Sequence, residues 1–216
     1  RQWIGRRLAE QCVRSGLFVP NENMVAQIGV DFSKCNDFTA VTAAYYDQET
    51  GRFHLDTRYF FPEGALPGHP NEELYRKWAE QGHLTLMHGS SIDYQVIIAH
   101  IESVGALVPV IKIGYDANLA TDFANTMRAI GWGDSLFAVP QAHGFFSAPV
   151  FSLEKGMIEG VITINDNPIN LYCFDNSVLD ENSVGDYKPI KKSENQKIDG
   201  VITMLMALRQ YLYWER

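Results

Sequence analysis

Three aspartates, Asp31, Asp116 and Asp199, are the residues on which chemistry would rest. Asp31 ends the stretch MVAQIGVD, an apolar run with β-branched Val25, Ile28 and Val30 and no turn signal before the acid. A carboxylate delivered by a buried strand is costly unless a cation or hydrogen bonds compensate it. Asp116 follows another compact β-rich run, Val110 to Tyr115, and Asp199 opens the amphipathic C-terminal segment. Hard oxygen ligands gathered in this way suit Mg²⁺ or Mn²⁺. Two such ions, roughly 3.5 to 4 Å apart, activate a water and stabilise a departing oxygen in phosphodiester cleavage. Asp31, on the central strand, is the natural bridging ligand, and Asp37 can reach back as an extra or outer one.

Each acid also has a plainer role open to it. Asp199 suits the negative charge that helix N-termini favour, Asp116 suits a turn, and Asp37 suits an Asx-turn or strand cap. His83 and His88 flank a Thr-Leu-Met run and lack helical ligand spacing, so surface or structural roles fit them better than zinc. His143, before Gly144, could approach substrate from a loop, but a loop histidine without partners is the plainer reading. Ser90 and Ser91 lack the GxSxG turn of a hydrolase nucleophile. Trp3, Trp78, Trp132 and Trp214 are scattered, as core anchors are.

The elements that must position the acids follow from periodicity. Residues 2 to 16 carry helical spacing (Trp3, Ile4, Leu8, Cys12, Val13) and stop at Gly16, and FVPNEN is a linker or turn. After the Asp31 strand, Phe38 to Tyr46 and Arg52 to Phe61 read as two more strands, which makes an antiparallel meander. PEGALPGHPN ends it and leads to a polar helix around Glu72 to Glu80. Helix and strand then alternate. A short extended piece precedes a helix over Tyr94 to Val104, capped by Ser91 or Asp93, and Val110 to Tyr115 is the next strand. A helix over Ala120 to Ile130 stops at Gly131, and Leu136 to Pro140 is a strand. Helices over Phe146 to Gly160 and Asn170 to Leu179 flank a minor strand, VITI, and a loop then carries lysines to a last helix, Ile198 to Trp214. On that helix Asp199 borders the apolar stripe, stacked with Ile202 and Met206, and so faces the sheet. The class is α/β, with a three-strand antiparallel meander plus parallel strands in a mixed central sheet flanked by helices.

Length and composition agree. The chain has 216 residues, 46% of them apolar, enough for one well-cored domain (24–216) with an N-terminal helix and linker (1–23). No apolar run is long enough to cross a bilayer, and the first residues lack the apolar core of a signal peptide, which predicts a cytosolic chain. The start, without Met and on a basic amphipathic segment, is consistent with a piece of a longer polypeptide. Cys12, Cys35 and Cys173 are too few and too scattered for a disulfide framework or a CxxC zinc site, and read as reduced thiols. The formal charge of −8 argues against gripping nucleic acid by global attraction. It leaves room for a nuclease whose carboxylates are neutralised by bound ions. Phosphate contacts would then come from local patches. Lys188, Lys191, Lys192 and Lys197 form one, whereas Arg1, Arg6, Arg7 and Arg14 read as a solvated face.

IGVDFSKCNDFTAV resembles the opening of the nuclease domain of tailed-bacteriophage terminase large subunits, where a GxDxS strand is followed by (N/T)D and a Thr-Ala pair. WAEQGHLTLMHGSSID, the IGYD ending at Asp116, Gln141 to Pro149, Asn167 with Pro168, and GDYKPIKKSENQKIDGVITMLMAL fit the same family in its order. The resemblance implies a ribonuclease H-like fold and an endonuclease that cuts concatemeric double-stranded viral DNA during packaging in the cytoplasm of the infected bacterial host. It places Asp31, Asp116 and Asp199 as catalytic metal ligands for Mg²⁺ or Mn²⁺, two ions in all, with Asp37 as the accessory acid and Lys188 to Lys197 near DNA phosphates. It also implies an upstream ATPase domain of the same polypeptide, a portal and a small terminase subunit as partners. No GxxxxGK(S/T) occurs here, so packaging ATPase activity is not expected of this chain. The residues 2–16 have no clear counterpart and suit an interdomain connection. Two other readings stay open: another ribonuclease H-like nuclease, such as a junction resolvase or transposase core, and a docking domain whose acids are structural.

Overall fold

The computed structural model describes residues 1–32 and 37–212, without the side chain of Leu119, so Cys35 and Trp214 lie outside the described residues. The first helix, α1 (Arg6–Gln11), is shorter than the spacing over 2–16 predicts, and it leads into a two-residue strand, β1 (Val13–Arg14). Ile164 N–H donates to the Cys12 carbonyl at 2.9 Å, and Val13 pairs in parallel with Ile164. Sheet pairing thus captures a segment whose apolar spacing alone suggested more helix.

The meander forms as expected, from β2 (Met24–Asp31), β3 (Thr39–Asp47) and β4 (Phe53–Pro62). Asp47 Oδ1 accepts from the N–H groups of Glu49 and Thr50, and Gly51 supplies the positive φ that the turn into β4 requires. Next come α2 (Glu72–Glu80), β5 (Thr85–Met87) and α3 (Tyr94–Gly105). Of the two candidate caps it is Asp93 that serves α3, its side chain accepting from Gln95 N–H. Then follow β6 (Val110–Tyr115), α4 (Thr121–Ala129), β7 (Leu136–Ala138), α5 (His143–Ile158) and β8 (Ile162–Asn165).

Three expectations in the last third need correction. Helix α6 (Pro168–Asp175) starts two residues early, because Asn167 caps it and Pro168 fills its first turn. It also ends early, since residues 177 to 179 belong to a strand, β9 (Ser177–Glu181). The segment with the lysines is not all loop: β10 (Tyr187–Lys191) pairs antiparallel with β9, and Lys188 and Lys191 stand on it. The turn between them is closed by Asn182 Oδ1, which accepts from Val184 and Asp186 N–H. The last helix is α7 (Asp199–Leu212).

Among the described residues, the main sheet runs β1-β8-β4-β3-β2-β6-β7, with β5 also pairing β4. The meander pairs are antiparallel, and β6, β7, β8, β5 and β1 join in parallel. Helices cover both faces, so every residue of β3 is buried. One core packs Ile28, Val30 and Ile113 with Ile97 and Ile101 of α3 and Phe123 of α4. The other packs Ala40, Ala44 and Leu55 with Val150 and Leu153 of α5 and with Val201, Leu205 and Leu208 of α7. Cys12 and Cys173 are buried free thiols. No helix among the described residues is long and apolar enough to cross a membrane.

Helix α7 approaches the central strands closely because the residues facing it are small. A Cβ on Gly29 would stand 2.4 Å from the Thr203 carbonyl oxygen and 2.9 Å from Met206 Cβ. Thr42 Oγ1 lies 2.8 Å from both Thr57 Oγ1 and Thr203 Oγ1, and Thr203 donates to the Gly200 carbonyl, so a buried hydroxyl chain joins β4, β3 and α7. Also on β4, Tyr59 donates to Asn170 Oδ1 at 2.6 Å, and its hydroxyl fills the space that a side chain at Gly200 would need. Gly29→Ala is therefore expected to destabilise the domain by about 1–3 kcal/mol through overpacking. Urea denaturation checks this, and an unchanged midpoint would contradict the packing described.

Candidate active site

The register of β2 against β6 does the first part of the assembly. Val30 pairs with Tyr115 in parallel, so the next residue of each strand, Asp31 and Asp116, emerges at the same end of the sheet. The Asp116 side chain also accepts from Asn118 N–H at 3.0 Å, so its turn role is real as well. Helix α7, laid across β2 and β3, brings its first residue, Asp199, to that end. Asp31, Asp37, Asp116 and Asp199 all line one cleft of about 680 Å³, together with Lys188, Lys191 and Lys192.

The acids differ in their surroundings. Asp199 is 8% exposed, and its Oδ2 is buried without a hydrogen-bond partner. Burial pushes its carboxyl up to about 6, against the pull of Lys191, its own backbone N–H and Lys197. Burial, and then the Asp199 and Asp116 carboxylates, hold the Asp31 carboxyl well above the usual range, while Lys191 and Lys188 act in the opposite direction. Asp37 is ion-paired: Lys197 Nζ bonds its Oδ1 and Lys191 Nζ lies 3.7 Å from its Oδ2.

The lysines divide in the same way. Lys197 is buried and committed to Asp37, so it is not presented to solvent as a phosphate contact. Lys188 is half-buried on β10, donates to the Gln141 carbonyl at 2.6 Å and sits over the Phe146 ring. Its ammonium is lowered by burial, against the pull of Asp116 and Asp31. Lys191 is partly exposed, and Lys192 is exposed on the cleft rim. Arg1 and Arg6, by contrast, are taken up by Glu154 and Asp175.

His143 corrects its expectation: it opens α5, and its Nε2 lies 2.7 Å from Asp180 Oδ2 on β9. Sequence reasoning missed the hairpin that carries Lys188 and Lys191. ENSVGD between two short β-forming runs is the signal that marks it.

A carboxylate-only donor set with one buried orphan oxygen, on Asp199, and with like charges crowding Asp31 fits a hard divalent cation. Among the described residues, however, no three His, Cys, Asp or Glu side chains close into a cage for an ion. The acids share that cleft, and Lys188, Lys191 and Lys197 oppose their charge.

The Asp199 shift sets a pH dependence. Its folded-state value lies above the usual 3.8, so protonation favours the folded form; that stability is present below about 4 and is lost as pH rises through about 6. In chelator, Asp199→Asn is expected to be more stable than the wild type at pH 7.5, by on the order of 1–3 kcal/mol, with the gap closing by pH 4. Thermal unfolding across that range checks it. A wild type that gains on the variant between pH 4 and 7.5 would contradict the assignment.

The family described as "Terminase large subunit, endonuclease domain" matches residues 1–215. The terminase large subunit of Enterobacteria phage HK97 is 24% identical over 208 residues, covering 95% of this chain and 40% of that protein, so the chain spans less than half of this relative. The crystal structure of the HK97 large terminase shares the fold with a TM-score of 0.81 over 96% of this chain and 43% of that one, at 24% identity. The large terminase nuclease of thermophilic phage G20c with bound magnesium, 13% identical, superposes with a TM-score of 0.59 over 94% of this chain and 95% of that one. The mixed sheet flanked by helices is accordingly ribonuclease H-like, and the chain belongs to the terminase large subunit endonuclease domain family.

Proposed function

We propose that this chain is a divalent-metal-dependent endonuclease that hydrolyses phosphodiester bonds of double-stranded DNA, cutting concatemeric viral genomes as they are packaged. The observation that carries the reading is the cleft that β2, β6 and α7 line with Asp31, Asp116 and Asp199, whose crowding and burial the neighbouring lysines only partly offset. Family membership supports it, and so does the magnesium bound by the G20c nuclease. Mg²⁺ or Mn²⁺, two ions in all, would supply Lewis-acid polarisation and an activated water. Asp31, Asp116 and Asp199, the last with its unpartnered Oδ2, would hold those ions.

The chain's own cations complete the site. Lys188 is held at the cleft by the Gln141 carbonyl and the Phe146 ring, where it can meet a phosphate without swinging away. Lys191 and Lys192 extend that contact to the rim. Ammonium groups grip phosphates as point charges and read no bases, so weak sequence preference is expected. An upstream ATPase domain of the same polypeptide, a portal and a small terminase subunit are the partners in this reading, inside the infected bacterial cell.

Nicking of supercoiled plasmid in Mg²⁺ or Mn²⁺ tests the proposal. Asp31→Asn and Asp199→Asn are each expected to slow it by about 100-fold or more, roughly 3 kcal/mol of transition-state stabilisation, while folding persists. If the wild type fails to nick with either ion at high protein concentration, a docking role replaces the enzymatic one. For the rim, Lys192→Ala is expected to weaken duplex binding and to lower the slope of log affinity against log salt by about 0.9, one phosphate contact. An unchanged slope would remove Lys192 from the DNA path.

A further inference from the structure

Asp37 differs from the other acids of the cleft. Each of its oxygens faces a different ammonium, Lys197 at Oδ1 and Lys191 at Oδ2. The Lys197 side chain is only 11% exposed, so most of its compensation comes from Asp37 rather than from water. Its main chain is fixed too, since the buried Asn176 donates from Nδ2 to the Lys197 carbonyl at 3.2 Å. The Asn176 carbonyl in turn accepts from Lys192 N–H. The Asp37–Lys197 contact therefore ties the entry to β3 to the turn two residues ahead of Asp199, with the end of α6 as a third anchor.

A cation that took Asp37 as a ligand would have to displace a buried ammonium and leave it unpaired, a far costlier outcome than breaking an exposed pair. A cation that left Asp37 alone would meet no such penalty. The buried oxygen without a partner belongs to Asp199, not to Asp37. Resting on the functional reading above, we infer that Asp37 is the structural counter-ion of Lys197, with Lys191 at its second oxygen, and that the cation-binding set is Asp31, Asp116 and Asp199 without it. Lys197 is on this view a positioning residue. Lys191, with a side chain 34% exposed, is the member of the trio able to exchange Asp37 for a phosphate.

The charge-neutral double variant Asp37→Asn with Lys197→Met separates the two roles, because removing both partners leaves the net charge of the cleft unchanged. Mn²⁺ is titrated calorimetrically into the metal-free chain without DNA, beside Asp31→Asn, and thermal midpoints are recorded for both single variants and the double. The expected result is Mn²⁺ affinity within about twofold of wild type for the double variant, with each single variant less stable than the double, the non-additivity of a coupled pair. A loss of about tenfold or more in the double variant, comparable to Asp31→Asn, makes Asp37 a ligand and overturns the inference. Additive losses of stability overturn it as well. Should the Met variant fail to fold, Lys197→Gln with Asp37→Asn keeps a hydrogen bond in place of the ion pair and serves the same comparison. If the wild type itself binds no Mn²⁺, the metal reading of the whole cleft fails and this assignment falls with it, a result distinct from selective loss in the double variant.

Discussion

The close approach of α7 to β2 and β3 is the constraint on which the rest depends. A helix packs this tightly on a sheet only where the strand residues beneath it are small, and here Gly29, Ala40, Thr42 and Ala44 form that floor. The buried hydroxyls of Thr42, Thr57 and Thr203 then hydrogen-bond across three elements and satisfy one another without water. From that seat the first residue of the helix can stand at the end of the sheet where β2 and β6 finish. Tyr211 closes the far end of the same helix, donating to the carbonyls of Ala44 and Val25.

Charge at the cleft is a balance between acids brought together by the fold and ammonium groups brought there by the hairpin and the turn before α7. Burial is the largest influence on both Asp31 and Asp199, and the lysines only partly offset it. A net formal charge of −8 and a basic strand beside an acidic cleft are therefore compatible. The acids set the sign of the interior, and the lysines set the sign of its mouth. Lys188 belongs to both, since it touches the Phe146 ring while acting electrostatically on Asp31 and Asp116.

The hairpin that carries these lysines is anchored by several independent contacts. His143 meets Asp180, Ser147 Oγ accepts from Tyr187 N–H, and the Phe151 ring packs edge-on against Tyr187. Together they fasten β9 and β10 to α5. The N-terminal residues reach the same neighbourhood, as Gln2 bridges to Val178 and the Arg1 carbonyl accepts from Leu179 N–H. Segments that are remote in the chain thus share the support of one small sheet beside the cleft.

Much of the fold was legible in the chain itself, because its strongest signals are local. β-branched alternation marked the meander, Ser91 or Asp93 marked the start of α3, Gly131 marked the end of α4, and the apolar stripe on α7 turned Asp199 toward the sheet. The weak points were segments whose state is decided by a distant partner. Residues 13 and 14 are a strand because β8 accepts them, and residues 177 to 179 are a strand because β10 lies beside them, whatever their apolar spacing suggests. The ion pairs divide in the same way: the sequence set Asp37 apart only as an extra or outer ligand and gave all four lysines the same phosphate-contacting role. Only the tertiary structure, by burying Lys197 against Asp37 and leaving Asp199 Oδ2 without a partner, made them different, since the free energy of a charge depends on its distance from water and from other charges, which the order of residues does not contain.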